Sequence, residues 1–202
     1  MAIDKLNVIK EETRVMSITQ FFNEMPIPEQ DKKKRIDMCE DFEVFLLLMI
    51  EIGEEMELEI YIRQLQLGMI EIAGKYIELT QPVINRINED AVYIAETTIK
   101  YADTPYYTSE DRATLVAETE TQAICNIEEF ERAKEFGFVY KEWLAMPDER
   151  TRFTHAMADG QRVPIDTPFI VGDSLMMYPM DASLGAPPEE IINCRCVMKY
   201  TR

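Results

Sequence analysis

Residues 137–165 read GFVYKEWLAMPDERTRFTHAMADGQRVPI, and the fold class turns on them. Before this stretch the apolar residues recur with helical spacing; within it they do not. Gly137 suits the C-terminal stop of a helix, because a residue without Cβ enters the left-handed region at little cost. Phe138, Val139, Tyr140 and Trp143 predict a strand, Pro147-Asp148 a turn, and residues 149–157 a short helix. Asp159-Gly160 is a tight-turn signal, after which Gln161-Arg162-Val163 returns as a second strand. Residues 171–188 read as loop, with Gly172, Pro179, Gly185, Pro187 and Pro188. Cys194 to Tyr200 alternates as a final strand.

Upstream the pattern is helical. Ile9, Val15, Phe21 and Phe22 are candidate buried positions, and Met25-Pro26-Ile27-Pro28 breaks any helix. Helical pattern resumes near Asp31. Residues 37–80 carry the strongest periodicity: Phe45, Leu48, Met49, Ile52, Met56, Leu58 and Ile62 recur largely at three- and four-residue steps. Glu51, Glu54, Glu55 and Glu59 fill much of the rest and read as the wet side of a long amphipathic helix. Gly53 and Gly68 are weak points or close-packing sites within it. Pro82 opens a further helix over residues 82–101, and Thr104-Pro105 ends it. Tyr101, Tyr106 and Tyr107 make a tyrosine-rich connector. Residues 108–111, with Thr108 and Ser109, then cap a helix over residues 110–136. The expectation is an α+β protein: a mainly helical body over residues 1–136 and a small β-containing module over residues 137–202.

Charge limits the function classes. The chain of 202 residues carries a net charge of −17. Residues 1–142 hold 30 acids and 15 bases, and residues 143–202 hold 8 and 6. An acidic body repels phosphate at long range, which argues against non-specific nucleic-acid binding. The one basic run, Lys32-Lys33-Lys34-Arg35, is flanked by acids and reads as a solvated face or helix start. No segment reads as a signal peptide, and the longest strict apolar stretch, residues 44–50, is far short of the roughly 18 residues a membrane span needs. The cysteines, Cys39, Cys125, Cys194 and Cys196, are therefore expected as reduced thiols or metal ligands.

The chemistry concentrates around the single histidine, His155. It lies between Asp148 and Asp159, and Cys194-Arg195-Cys196 follows near the end of the sequence. Imidazole, two thiolates and a carboxylate are an acceptable tetrahedral zinc set, so Asp148, His155, Cys194 and Cys196 are the candidate metal ligands. Asp148 and His155 would meet if helix connects them, and two cysteines one residue apart share a strand face. The alternative is a hydrogen-bonded cluster that stabilises a small module without metal. A Cys–His nucleophile would need His155 beside either thiol, but no oxyanion-hole glycine pattern accompanies the pair. No phosphate-binding glycine loop occurs.

The order of rare residues adds a further reading. Lys141-Glu142-Trp143 is followed by Asp148-Glu149-Arg150-Thr151-Arg152, His155 and Asp159-Gly160-Gln161. Then come Val163-Pro164-Ile165, Phe169, Leu184-Gly185-Ala186-Pro187 and Ile192-Asn193-Cys194-Arg195-Cys196. This order resembles the C-terminal module of the phage Mu F-like head morphogenesis family. Upstream, Thr119, Glu120 and Asn126 fit the pattern more loosely, with Glu118 where the family usually has arginine. The resemblance implies a non-enzymatic minor component of a phage or prophage head. Its partners would be portal protein, major capsid protein or both, at the portal vertex or inner capsid. Any effect on packaged DNA would be indirect, through packaging or ejection. It would be made in the host cytoplasm and then enter the procapsid or virion. The resemblance also strengthens the case for zinc. The competing reading is a metal- or thiol-dependent enzyme, or a toxin-associated module, using His155 with Cys194 or Cys196.

Overall fold

The computed structural model describes residues 20–53 and 55–202. Ile9 and Val15 lie outside the described residues, whereas Phe21 and Phe22 are buried as expected. The fold is α+β. Among the described residues four long helices, α1 (Glu29–Gly53), α2 (Leu58–Ala73), α3 (Gln81–Lys100) and α4 (Glu110–Glu135), precede the strands. A 3-10 turn at Pro105–Thr108 joins α3 to α4.

The periodic stretch expected as one helix over residues 37–80 is two. α1 ends at Gly53 and α2 begins at Leu58. Both glycines are close-packing sites: a Cβ on Gly53 would overlap the Tyr61 ring, and one on Gly68 would overlap the Phe45 ring. The pairs 53 with 61 and 45 with 68 are nearly symmetric about residue 57, so α1 and α2 fold back on one another as an antiparallel hairpin. Met38, Cys39, Phe42, Leu46 and Met49 from α1, and Tyr61, Leu65 and Met69 from α2, supply the buried stripes. Each large apolar side chain buried there contributes about 1.5–3 kcal/mol.

The basic run is not a free cationic face. Arg35 is fully buried and reaches Gln122 and Glu129 on α4. Lys32 pairs with Glu29, Lys33 with Asp37, and Lys34 with Glu128.

α4 is the axis of the molecule. Ser109 caps it by accepting from the Arg112 backbone N–H, and Gly137 (φ 71°) ends it. There the Gly137 N–H donates to the Lys134 carbonyl and the Phe138 N–H to the Ala133 carbonyl, a Schellman closure. Every residue from 119 to 128 is buried, because the helix is covered on one side by α1 and α3 and on the other by the C-terminal module. Ala117, Ile124, Cys125 and Ile127 join the helical core, while Ala123, Phe130 and Ala133 join the core of the module.

The module is a three-stranded antiparallel sheet in the order β2 (Arg162–Pro164), β1 (Tyr140–Leu144), β5 (Val197–Thr201). Its register sets Lys141 opposite Tyr200 and Trp143 opposite Met198, and alternation turns Lys141 and Trp143 inward. The short helix expected over residues 149–157 is α5 (Phe153–Ala158), which starts later because Asp148 closes a turn with Thr151. A two-stranded hairpin, β3 (Phe169–Val171) with β4 (Ser174–Met176), runs into the stretch 171–188 that was expected as loop. Gly172 (φ 59°) makes its turn; a Cβ there would come within 2.7 Å of Thr154 Cγ2 on α5. A last helical turn, α6 (Pro188–Ile191), precedes the cysteines. β5 begins at Val197 and not at Cys194, because the Cys196 carbonyl accepts from Gln122 and Asn126 of α4 instead of a strand neighbour.

Candidate functional site

Three elements converge on His155. α5 carries it, β1 places Trp143 edge-on to its ring at 5.6 Å, and the segment between α6 and β5 brings Cys194 and Cys196. Its Nδ1 lies 3.3 Å from Cys196 Sγ and 3.5 Å from Cys194 Sγ. His155, Cys194 and Cys196 are each at most 2% exposed. Their donor atoms all fall within 4.8 Å of one another, a grouping able to hold a metal ion.

With Nδ1 turned to the sulfurs, the ring proton belongs on Nε2, which donates to Glu190 Oε2 at 2.9 Å. Thr154 donates to the same carboxylate oxygen at 2.9 Å. A carboxylate behind the imidazole fixes tautomer and orientation and raises the basicity of the facing nitrogen. Glu190 was missed in the sequence, where it falls between the loop-like residues 171–188 and the final strand. The available signal was proline followed by acids, which marks a helix start.

Asp148 is placed differently from the other three candidates. Its carboxylate accepts from Arg195 at 2.6 Å, from the Arg150 backbone N–H at 3.0 Å and from the Thr151 hydroxyl at 3.4 Å. Slight burial works against its charge, but Arg195 and Arg150 outweigh that and hold the carboxyl below its usual range. It therefore reaches the cluster through Arg195, the residue between the two cysteines. Glu24 adds an ion pair to Arg150 at 2.9 Å and approaches Arg195 at 3.6 Å. Glu118 is half-buried; burial, and then the charge of Glu43, push its carboxyl up to about 7.

The thiols and imidazole are electrostatically coupled. Burial opposes a thiolate at Cys194, yet hydrogen bonds from Cys196 and His155 and the imidazole charge bring it down to about 5. Cys196 moves up, first through its hydrogen bond to Cys194 and then through burial. Burial also opposes a charged His155, but the bond to Cys194 and its charge tip the imidazole upward. The three groups thus titrate together, and Cys194 is the thiol that ionises most readily.

A zinc ion suits this donor set. Tetrahedral bonds of about 2.3 Å to sulfur and about 2.0 Å to nitrogen set N and S roughly 3.5 Å apart, in line with the separations found. The charge of one divalent ion would balance two buried thiolates. The Trp143 indole N–H is buried without a conventional partner, and it and the main chain at Met146 are the groups that favour a Cys196 thiolate.

Around the site the module is held by polar contacts. Gln122 bridges Arg35 (2.7 Å) and the Cys196 carbonyl (2.9 Å), and Asn126 donates to the carbonyls of Pro179 (3.2 Å) and Cys196 (3.3 Å). This spine runs from α1 through α4 to the cysteines.

The model of the family described as Phage Mu protein F like protein matches residues 79–199, from the start of α3 through most of β5. The NAD(+)–arginine ADP-ribosyltransferase EFV of Enterococcus faecalis is 36% identical over 92 residues, 44% of this chain and 18% of that protein. The chain thus spans less than a fifth of that relative's length. No solved structure matches the chain with significance. No helix among the described residues is long and apolar enough to cross a membrane. With a match that takes in α4, the sheet and the His–Cys cluster together, the chain belongs to the Phage Mu protein F-like family.

Proposed function

We propose that this protein is a minor head protein that works by protein–protein contact during phage head assembly. Its partners are portal protein, major capsid protein or both, at the portal vertex or inner face of the capsid. It is made in the host cytoplasm and carried into the procapsid or virion, and it affects DNA packaging or ejection indirectly. His155, Cys194 and Cys196 hold a zinc ion that fastens α5 to the segment before β5, with Asp148 bracing the site through Arg195. The observation that carries this reading is the burial of the cluster: groups at most 2% exposed make a staple, not a reaction centre open to substrate. The experiment is mass spectrometry of procapsids and virions from a producing phage. The chain is expected in one or both, and its absence from both while it is being expressed would sink the proposal.

One observation favours a second reading, a metal- or thiol-dependent enzyme: three protein donors leave a fourth tetrahedral position open. The two separate on Cys194→Ser. A staple loses thermal stability, whereas a catalytic thiol loses activity in a chain that still folds.

A further inference from the structure

Between α3, the 3-10 turn, α4 and α6 lies a cavity of about 520 Å³. It is separate from the thiol cluster, although both use α6: Glu190 faces His155, and Ile191 and Ile192 line the cavity. Most of its wall is aliphatic or aromatic.

Two buried oxygens stand out on that wall. Thr119 Oγ1 and Glu120 Oε2, on residues 8% and 6% exposed, have no hydrogen-bond partner. Arg86 Nε pairs with Glu120 Oε2 at 3.9 Å and is itself hydrogen-bonded to Asp90, while burial and then the Asp90 charge push the Glu120 carboxyl well above its usual range. A buried polar oxygen left without a partner is costly, so a ligand that brings N–H groups is favoured there. Glu89 and Asp90 add carboxylates to the same wall, and Tyr93 and Tyr106, 63% and 44% exposed, are partly accessible aromatic rings beside it. Carboxylates, buried oxygens and aromatic faces together suit a flat cation with several donors.

Arg112 also lines the cavity, but it does not convert it into an anion site. Its guanidinium already donates to Thr97, Thr98 and the Tyr107 carbonyl and stacks on the Tyr107 ring at 5.0 Å. The net charge of −17 further draws basic partners at long range.

We propose that this cavity receives an arginine side chain presented on an apolar segment of a partner protein. The guanidinium meets Glu120 and Thr119 and lies against the tyrosine rings, while flanking apolar side chains fill the aliphatic wall. Binding is read on the purified chain, so its failure is distinguishable from failure of the assembly role, which is read on phage particles.

The test is an NMR titration of tyrosine-labelled protein with acetyl-Ala-Leu-Arg-Leu-Ala-amide. The same peptide with citrulline at the centre, of like shape without charge, and with glutamate serve as comparisons. The arginine peptide is expected to shift the Tyr93 and Tyr106 resonances with saturation, and citrulline to bind about tenfold more weakly. Glu120→Gln should weaken arginine binding about tenfold. Tyr93→Ala, at an exposed position that folding does not need, should weaken it about threefold. Equal binding of citrulline, preference for glutamate, no shift at millimolar peptide, or unchanged affinity in Tyr93→Ala would each overturn the proposal. Should Glu120→Gln not fold, the peptide series and Tyr93→Ala decide alone.

Discussion

Phe42 in α1 and Lys141 in β1 are both fully buried, and they are buried in different company. Phe42 belongs to a core of aliphatic, aromatic and methionine side chains that joins α1 to the other long helices. The Lys141 ammonium donates to the Met177 carbonyl at 2.6 Å and sits 4.7 Å and 5.0 Å from the centres of the Phe130 and Phe169 rings. The helical body thus rests on hydrophobic area, which tolerates exchange of one apolar residue for another. The module has an apolar core of its own around Trp143, Phe169, Val171 and Met176, and adds to it particular polar groups, each with a particular partner. Specific groups cannot be swapped without leaving their partners buried and unsatisfied, which is where the larger penalties arise.

This contrast can be broken first at the staple. Cys194→Ser with Cys196→Ser should abolish cooperative unfolding of the module, since metal-linked folding in small zinc modules is on the order of 10 kcal/mol. Trp143 fluorescence, which reports on the site, should redshift while far-ultraviolet helix signal is largely kept. An unchanged Trp143 signal would mean that the sheet holds itself together without the thiols.

Next in size, Phe42→Ala should cost about 3–5 kcal/mol and act on the helical side. Thiol labelling during urea unfolding separates the regions, because Cys39 and Cys125 report on the helices while Cys194 and Cys196 report on the module. The first two should become reactive at lower urea in the variant. Simultaneous exposure of all four would erase the distinction drawn between the regions.

Lys141 gives a pH test. Burial, which outweighs the charges of Asp166 and Asp181, brings its ammonium down to about 8 from an unfolded value of 10.5. Between those values the unfolded chain binds more protons than the folded one, so stability contributed at this position rises as pH climbs from about 8 to 10.5. The gain should be on the order of 2–3 kcal/mol and should vanish in Lys141→Met. Denaturant midpoints measured across that range in both proteins check the sign.

Smallest is the link between the regions. Asn126→Ala removes donors to the Pro179 and Cys196 carbonyls and should cost about 1–2 kcal/mol. Combined with Gln122→Ala it should uncouple module unfolding from that of α4, measured as a widening gap between the Trp143 and helix transitions.

The same contrast explains what could be read from the sequence. The ends of α3 and α4 were legible to within a residue because Pro82, Ser109 and Gly137 act locally. The break between α1 and α2 was not, since the spacing of Ile52, Met56 and Leu58 carries the helical pattern across it and the reason, Tyr61 seated on Gly53, is a tertiary contact. The β3–β4 hairpin was hidden because each strand has three residues, too few to show alternation. In the site, His155 and the two cysteines stood out by rarity. Asp148 was expected beside them on the assumption of continuous helix, and Glu190 could not be seen among so many acids until the fold brought α6 to α5.

The most direct measurement is metal analysis of the purified full chain under reducing conditions. The expected result is about one zinc per chain, lost in Cys194→Ser with Cys196→Ser and kept in Asp148→Asn, whose carboxylate reaches the site through Arg195. A metal-free protein whose Trp143 environment is nonetheless native, and unmoved by added zinc, would contradict the staple.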